Sequence, residues 1–483
     1  MRVTMARQPV AKILGYSGLA LSALLIGQMI GTGRLVPAMV LMFMPLGVVL
    51  VLGSLTYPHL IGYAMTVILY ANLDVFASLR LNAHLGIVFL GLSLGYLGMI
   101  ALTQSERTPF GRPVLIYGLF FVVAIATSAL LPGANHVEVY YWSRHITYAY
   151  SALLVVYFVS NTLERIRIVS KILTWTGVLL ALVNALEFYD PSLFPFSEVS
   201  GRSAGLLQNA NPSAAAIFAC FIISYLAPGR FVLLARAVML FGVYTTFSRS
   251  IIILFLPFTV YLELFVRGVS VRYLFRAAAT LILAAIVLAY GSKLTELSTN
   301  KKVRYAYARI EQTQRGRFDD TSTHYRIRVI GVNLERFFER PIFGHGGGAA
   351  TKIDSPHNQI LLVMAEHGFV GLVLFVAMLV ALWRQLRAIP PGVERRIMLS
   401  LYIYQVINMS FTHSEYHLRF YPIIFGFLMA AGEVLPRELR GKESEGVGAS
   451  GGHEGGWAGR DVKGRLPAPE FGSIALRRHF EGR

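Results

Sequence analysis

The chain has 483 residues, 55% hydrophobic and 14% charged, with a mean hydropathy of +0.56, a balance that excludes a soluble multidomain protein and marks an integral membrane protein. Its 44 Lys and Arg against 26 Asp and Glu give a formal charge of +18. In a soluble chain that excess would suggest nucleic acid; here the membrane topology accounts for most of it, and no nucleic-acid partner is expected.

In chain order, apolar runs fall near residues 11–32, 35–52, 58–78, 84–103, 113–131, 145–160, 168–187, 212–227, 231–247, 250–266, 272–290, 360–382, 397–411 and 420–435. Their lengths predict an all-α, polytopic protein with about 12–14 transmembrane helices. The first run follows a basic start, "MRVTMARQPVAKILGYSGLALSALLIGQMI", and lacks a small-residue cleavage site, so it is expected to be a span and not a removed signal. The run 58–78 carries Asp74 and is a candidate interfacial or re-entrant segment.

Basic residues divide unevenly between alternate connections. Arg34, Arg80, Arg144, Arg202, Arg249 and Arg419 fall on one side, and a larger set, including Arg165, Arg167, Lys171, Arg384, Arg387, Arg395 and Arg396, on the other. The positive-inside rule then places both termini in the cytoplasm. Residues 1–435 are expected to form the transmembrane domain, and the long connection 291–356 to be an outer, functional loop. The Gly-rich, charged stretch 436–483 is expected to be a disordered cytoplasmic tail. Its formal G-x-S-x-G, Gly448 to Gly452, lacks the strand-turn-helix context of a nucleophile elbow. A single cysteine, Cys220, excludes an intrachain disulfide and any multi-cysteine metal site.

This topology gathers polar features at the outer face. "LLQNANPS" contributes Asn209 and Asn211, and "TTFSRSII" contributes Arg249, a guanidinium between two apolar runs that either snorkels to lipid phosphate or faces a polar cavity. In the long loop, Ser322 or Thr323 can cap a helix running to Arg340 before Pro341, with Arg326, Ile330, Leu334 and Phe338 on one stripe. The stripe is expected to face inward, making Arg326 a site residue or a member of a structural ion pair, whereas Arg328 falls with Glu335 and Glu339 on a solvated side. "PIFGHGGGAA" offers a backbone able to approach a phosphate, or a flexible turn back to the membrane. "SPHNQ" places His357 and Asn358 directly before a run apolar enough to cross a bilayer. "THSEYHLR" supplies His413, Glu415 and His417, but "HSEYH" misplaces the glutamate for a zinc helix, so neither metal nor cofactor is assigned.

Taken in order, "GLLQNANPSAAAIF", "TTFSRSIIIL", "YRIRVIGVNLERFFERPIFGHGGG" and "SPHNQILLVMAEHGFVGLVLF" resemble the O-antigen ligase and polymerase family of bacterial envelope proteins, over roughly residues 200–385. The arginine that this family carries ahead of its P-x-x-G turn corresponds to Arg326; Ile330 stands where a tryptophan is usual. The resemblance implies an inverting, metal-independent transfer of a glycan from undecaprenyl diphosphate to a hydroxyl acceptor, either a lipid A core or a growing polysaccharide, at the periplasmic face of the inner membrane. In that scheme Arg249 and Arg326 stabilise the departing diphosphate, His357 takes the acceptor proton, and Asn209, Asn211, Asn358, His413 and Glu415 contact substrates. A lipid-linked glycan flippase is the alternative from another class. It is expected to use ionisable residues near the bilayer midplane, where Asp74 and Glu263 form no obvious pair.

Overall fold

The computed structural model describes residues 57, 59–81, 85–103, 110–130, 136–190, 202–227, 229–266, 321–349, 356–411 and 419–450. The expected spans 11–32, 35–52 and 272–290, the loop stretches 291–320 and 350–355, and the tail from 451 lie outside the described residues. So do His413, Glu415 and His417.

Among the described residues the protein is all-helical, with no strand. The helices are α1 His59–Tyr70, α2 Leu73–Leu81, α3 Leu85–Thr103, α4 Arg112–Leu130, α5 His136–Val159, α6 Leu163–Tyr189, α7 Ala210–Ile223, α8 Val232–Thr245, α9 Arg249–Tyr261, α10 Thr321–Glu339, α11 Gln359–Arg387, α12 Val393–Asn408 and α13 Phe420–Ser450. A short 3₁₀ turn, Gly205–Leu207, precedes α7, and a π turn, Leu262–Val266, follows α9. Each apolar run expected within the described residues coincides with a helix, except 58–78, which divides into α1 and α2. Three helices, α4, α6 and α11, are long and apolar enough to cross a membrane by themselves, and α1 with α2, bent by 65°, counts as a fourth if the pair is one span.

Two features differ from the sequence expectation. α13 does not stop at 435: it is described through Pro436 to Ser450, and the stretch "RELRGKE" is rich in strong helix formers. Residues 1–439 form one compact unit and 440–483 another. The second difference concerns α10, where the expected inward stripe is largely outside. Ile330 and Phe338 are 43% and 72% exposed, and the buried residues are Val329 and Asn333, in a helix that packs against α11. The rule that apolar faces turn inward presumes water outside, and a membrane protein reverses it.

α7 stands at the centre of the core. From Pro212 to Ile223 its residues are buried, and Ala214, Ala215, Ala216 and Ala219 let neighbours approach closely. Tyr70 of α1 donates to the Ala216 carbonyl (2.8 Å) and Tyr404 of α12 to that of Ala215 (3.0 Å). The bend between α1 and α2 is held by polar side chains. Asn72, in the left-handed region (φ 56°), accepts from Arg419 (2.9 Å) and donates to the Leu206 carbonyl (3.1 Å). Buried Asp74 takes the Tyr148 hydroxyl (3.0 Å) and pairs with Arg419 (3.4 Å). These side chains tie the bend to Leu206, Tyr148 and Arg419.

Candidate functional site

Two corners of the fold hold the candidate residues. The first joins the Asn-rich turn to the start of α9. Asn209 caps α7, its Oδ1 accepting from the Asn211 amide (3.0 Å). The Asn211 Oδ1 accepts from Arg202 Nη2 (2.6 Å) and from Ser248 Oγ (3.0 Å). Arg202 also donates from Nε to the Thr246 carbonyl (2.9 Å), and the Ser203 amide donates to that of Thr245 (3.2 Å). From the other side buried Glu187 of α6 accepts the amides of Ala204 (2.7 Å) and Gly205 (2.5 Å). Ser248 is the residue before Arg249, which opens α9. Asn209, Asn211 and the Arg249 backbone are therefore brought together. The side chains of Arg249 and Arg326 lie outside what the structure describes.

This corner is strained. Gln208 (φ 64°) and Phe247 (φ 49°) both occupy the left-handed region without being glycine, a backbone state that costs energy and concentrates at functional positions. Arg202 was visible in the sequence only as one of the outer basic residues; its spacing from Asn211 carried no further signal.

The second corner is the start of α11. Asn358 caps this helix by accepting the Leu361 amide (3.0 Å). His357 before it is partly buried and has φ 45°, so the candidate base also sits on strained backbone. The Gln359 amide donates to the Met409 carbonyl at the end of α12 (2.8 Å), which ties the His357 turn to a residue four positions before His413 in sequence.

Further along α11 lies a structure the sequence did not reveal. α11 is broken at Gly368 (φ 61°, ψ −159°), and the Gly-rich loop after α10 fills the gap. His345 and Gly346 amides donate to the Ala365 and Glu366 carbonyls (3.1 and 2.8 Å), while Phe369 and Val370 amides donate to the Pro341 and Ile342 carbonyls (2.7 and 3.1 Å). The orphaned peptide groups of both half-helices are thus satisfied by one loop. Glycine is needed on each side of the contact: a Cβ on Gly344 would stand 2.5 Å from the Glu366 carbonyl carbon, and one on Gly368 2.5 Å from that of Ile342. The amides of Gly347 and Gly348 go to Ser128 Oγ (2.7 Å) and Glu366 Oε1 (2.9 Å). The loop is therefore neither a flexible turn nor a free phosphate cradle; its amides are directed into the protein.

Glu366 and His367, both fully buried, sit at this break. His367 Nδ1 lies 3.5 Å from Thr127 Oγ1, and its ring meets Phe120 edge-on at 5.7 Å. The available signal was "EH" inside an apolar run, since ionisable residues in a span are rarely incidental. Elsewhere, Glu263 pairs with Arg236 (3.1 Å) and accepts the Tyr225 hydroxyl (2.5 Å). Among the described residues no group of three or more His, Cys, Asp and Glu side chains is arranged to hold a metal.

Residues 234–376 match the family model Wzy_C, O-Antigen ligase. No curated protein matches the chain at a significant level. The matched stretch contains Arg249, α10 with Arg326, the Gly-rich loop, His357 and the break at Gly368. The resemblance carried by the sequence motifs is thereby borne out. It supports a membrane protein with a role in glycosyl transfer during O-antigen or polysaccharide assembly.

Proposed function

With an O-Antigen ligase domain over residues 234–376 as the premise, we propose that this chain moves a glycan from undecaprenyl diphosphate to a hydroxyl acceptor, a lipid A core sugar or a growing polysaccharide, at the periplasmic face of the bacterial inner membrane. The transfer is inverting and uses no metal. Departure of the diphosphate develops negative charge, which the guanidiniums of Arg249 and Arg326 stabilise in a site shielded from water. His357 takes the acceptor proton, and Asn358, whose Oδ1 holds the Leu361 amide, keeps the His357 turn in place. Asn209 and Asn211, together with His413 and Glu415, contact the sugars or the acceptor.

The observation that carries this reading is the double acceptance at Asn211 Oδ1, from Arg202 and from Ser248. It ties the two motifs that are farthest from catalytic type, an Asn-rich turn and a Ser-Arg-Ser junction, into one corner beside Arg249. A lipid-linked glycan flippase would use buried ionisable residues; of those in the fold, Asp74 and Glu263 each have an arginine partner, and Glu366 holds the Gly348 amide of the Gly-rich loop, as structural groups do.

The test is direct. Purified protein supplied with an undecaprenyl-diphosphate-linked glycan and an acceptor should release undecaprenyl diphosphate without ATP. Translocation of the donor across a vesicle bilayer without any such release would establish the transporter instead.

A further inference from the structure

α10 has three sides. Val329 and Asn333 are buried on the first, and the helix packs against α11. Arg328, Glu335 and Glu339 are exposed on a second side. On the third lie Ile327 (63% exposed), Ile330, Leu334 and Phe338 (72%), at the spacing that forms one face of a helix. Leu334 alone of these four is partly covered.

This third side continues beyond the helix. Ile342 and Phe343 are exposed in the loop that follows, and the hydrogen bonds from the Phe369 and Val370 amides place that loop against the break of α11. There the exposed residues Phe369, Val373, Val376 and Val380 form a single stripe down the helix. Phe369–Arg387 is about 28 Å long at 1.5 Å per residue, close to the roughly 30 Å thickness of a hydrocarbon core. The stripe is therefore the lipid-facing side of the half-helix that begins at Phe369. The apolar face of α10 joins that stripe at its Phe369 end, and the exposed charges on the second side of α10 suit an interface and not a hydrocarbon interior.

We infer that α10 is a membrane-surface helix: Ile327, Ile330, Leu334, Phe338, Ile342 and Phe343 sit in the leaflet at the Phe369 end of α11, and Arg328, Glu335 and Glu339 face water. A patch of this kind on a side open to water would be an association liability, whereas a helix with one packed, one apolar and one charged side suits the bilayer interface. The placement stands without the glycan-transfer reading. If that reading holds as well, the α10 backbone at Arg326 is held at headgroup depth, where a lipid diphosphate resides.

Depth measurements test it. In a Cys220→Ala background, single cysteines at Ile327, Phe338 and Ile342, and for contrast at Arg328 and Glu335, are labelled with nitroxide and the protein is placed in phosphatidylethanolamine–phosphatidylglycerol nanodiscs. Oxygen, which concentrates in lipid, should relax the first group more than a water-soluble nickel chelate does, and the order should reverse for the second. Water-like accessibility in the first group overturns the inference. So does shielding from both reagents, as beneath another part of the chain. Transfer activity does not enter the readout, so this test and that of the enzymatic reading fail separately.

Discussion

Helices α7, α8 and α9 run antiparallel, and their two ends are built from opposite materials. At one end charges are matched within the protein. Arg236, 3% exposed, pairs with Glu263, lies 3.5 Å from the centre of the Tyr225 ring and donates to Ser224 Oγ (2.9 Å). At the other end the bonds at the start of α7 and α9 run through the oxygens of Asn211, Thr246 and Ser248: Asn211 and Thr246 accept from Arg202, and Ser248 donates to Asn211. Asn209 caps α7, Glu187 of α6 holds the preceding amides, and two residues in left-handed backbone flank the corner. The same helices thus carry a charge-compensated end that stabilises and a strained, polar end that positions. An arginine in a membrane protein is read by what surrounds it, since one with a carboxylate partner inside the core has its charge already answered.

The contrast predicts that activity and stability separate. The largest effect is expected at the second corner of the site. His357→Ala should lower turnover by about 10²–10⁴, the range for a lost general base, with donor binding largely intact. His357→Gln should be nearly as poor, and wild-type activity should fall as pH drops through an imidazole pKa near the reference of about 6.5, because the protonated ring cannot accept a proton. A Gln variant with normal turnover would remove His357 from the chemistry. Next, Arg249→Ala should reduce transfer by about 10²–10³ while the midpoint of thermal unfolding in detergent stays unchanged. Arg249→Lys should recover little, as a point charge does not reproduce two-pronged phosphate contact. A lowered midpoint for Arg249→Ala would assign that residue to the structural class and dissolve the comparison.

At the compensated end the pattern should invert. Glu263→Ala leaves the Arg236 charge buried and should cost about 3–5 kcal/mol of stability, read as a large drop in unfolding temperature. The double variant Arg236→Met, Glu263→Leu should regain most of it, because an apolar pair of similar volume avoids the desolvation of two ions. Smallest is Asn209→Ala, expected to cost about 1 kcal/mol through the lost helix cap, measured by the same unfolding experiment.

What the sequence disclosed and what it withheld follow from range. Apolar runs are local, so α3, α4, α6 and α11 could be located from composition, and the end of α10 at Glu339 was legible because Pro341 closely follows it; its start at Thr321 puts Ser322 and Thr323 inside the helix and not at its cap. Asn209 and Arg249 stood out because their motifs are local as well. The break at Gly368 did not: nothing within α11 shows that a loop from residues 341–346 will accept its orphaned peptides, and a glycine in an apolar run is ordinary. Asp74 and Arg419 are separated by most of the chain, so their pairing has no sequence signature. The exposed side of α10 was misassigned because a periodic stripe tells where a face is, and the solvent decides which way it turns.

The repair of α11 also has an order in time. Pro341–Ala349 precedes Gly368 in the chain, so the nascent polypeptide delivers the repairing loop before the gap it fills. A span reaching lipid with two carbonyls and two amides unserved would bear a cost of roughly several kcal/mol for each. Because the partners of Ala365, Glu366, Phe369 and Val370 have already been synthesised, the defect can be closed as it emerges. Exchanging the positions of loop and helix in a circularly rearranged gene would retain every bond of the finished structure and still deprive the newly made span of its partner during insertion.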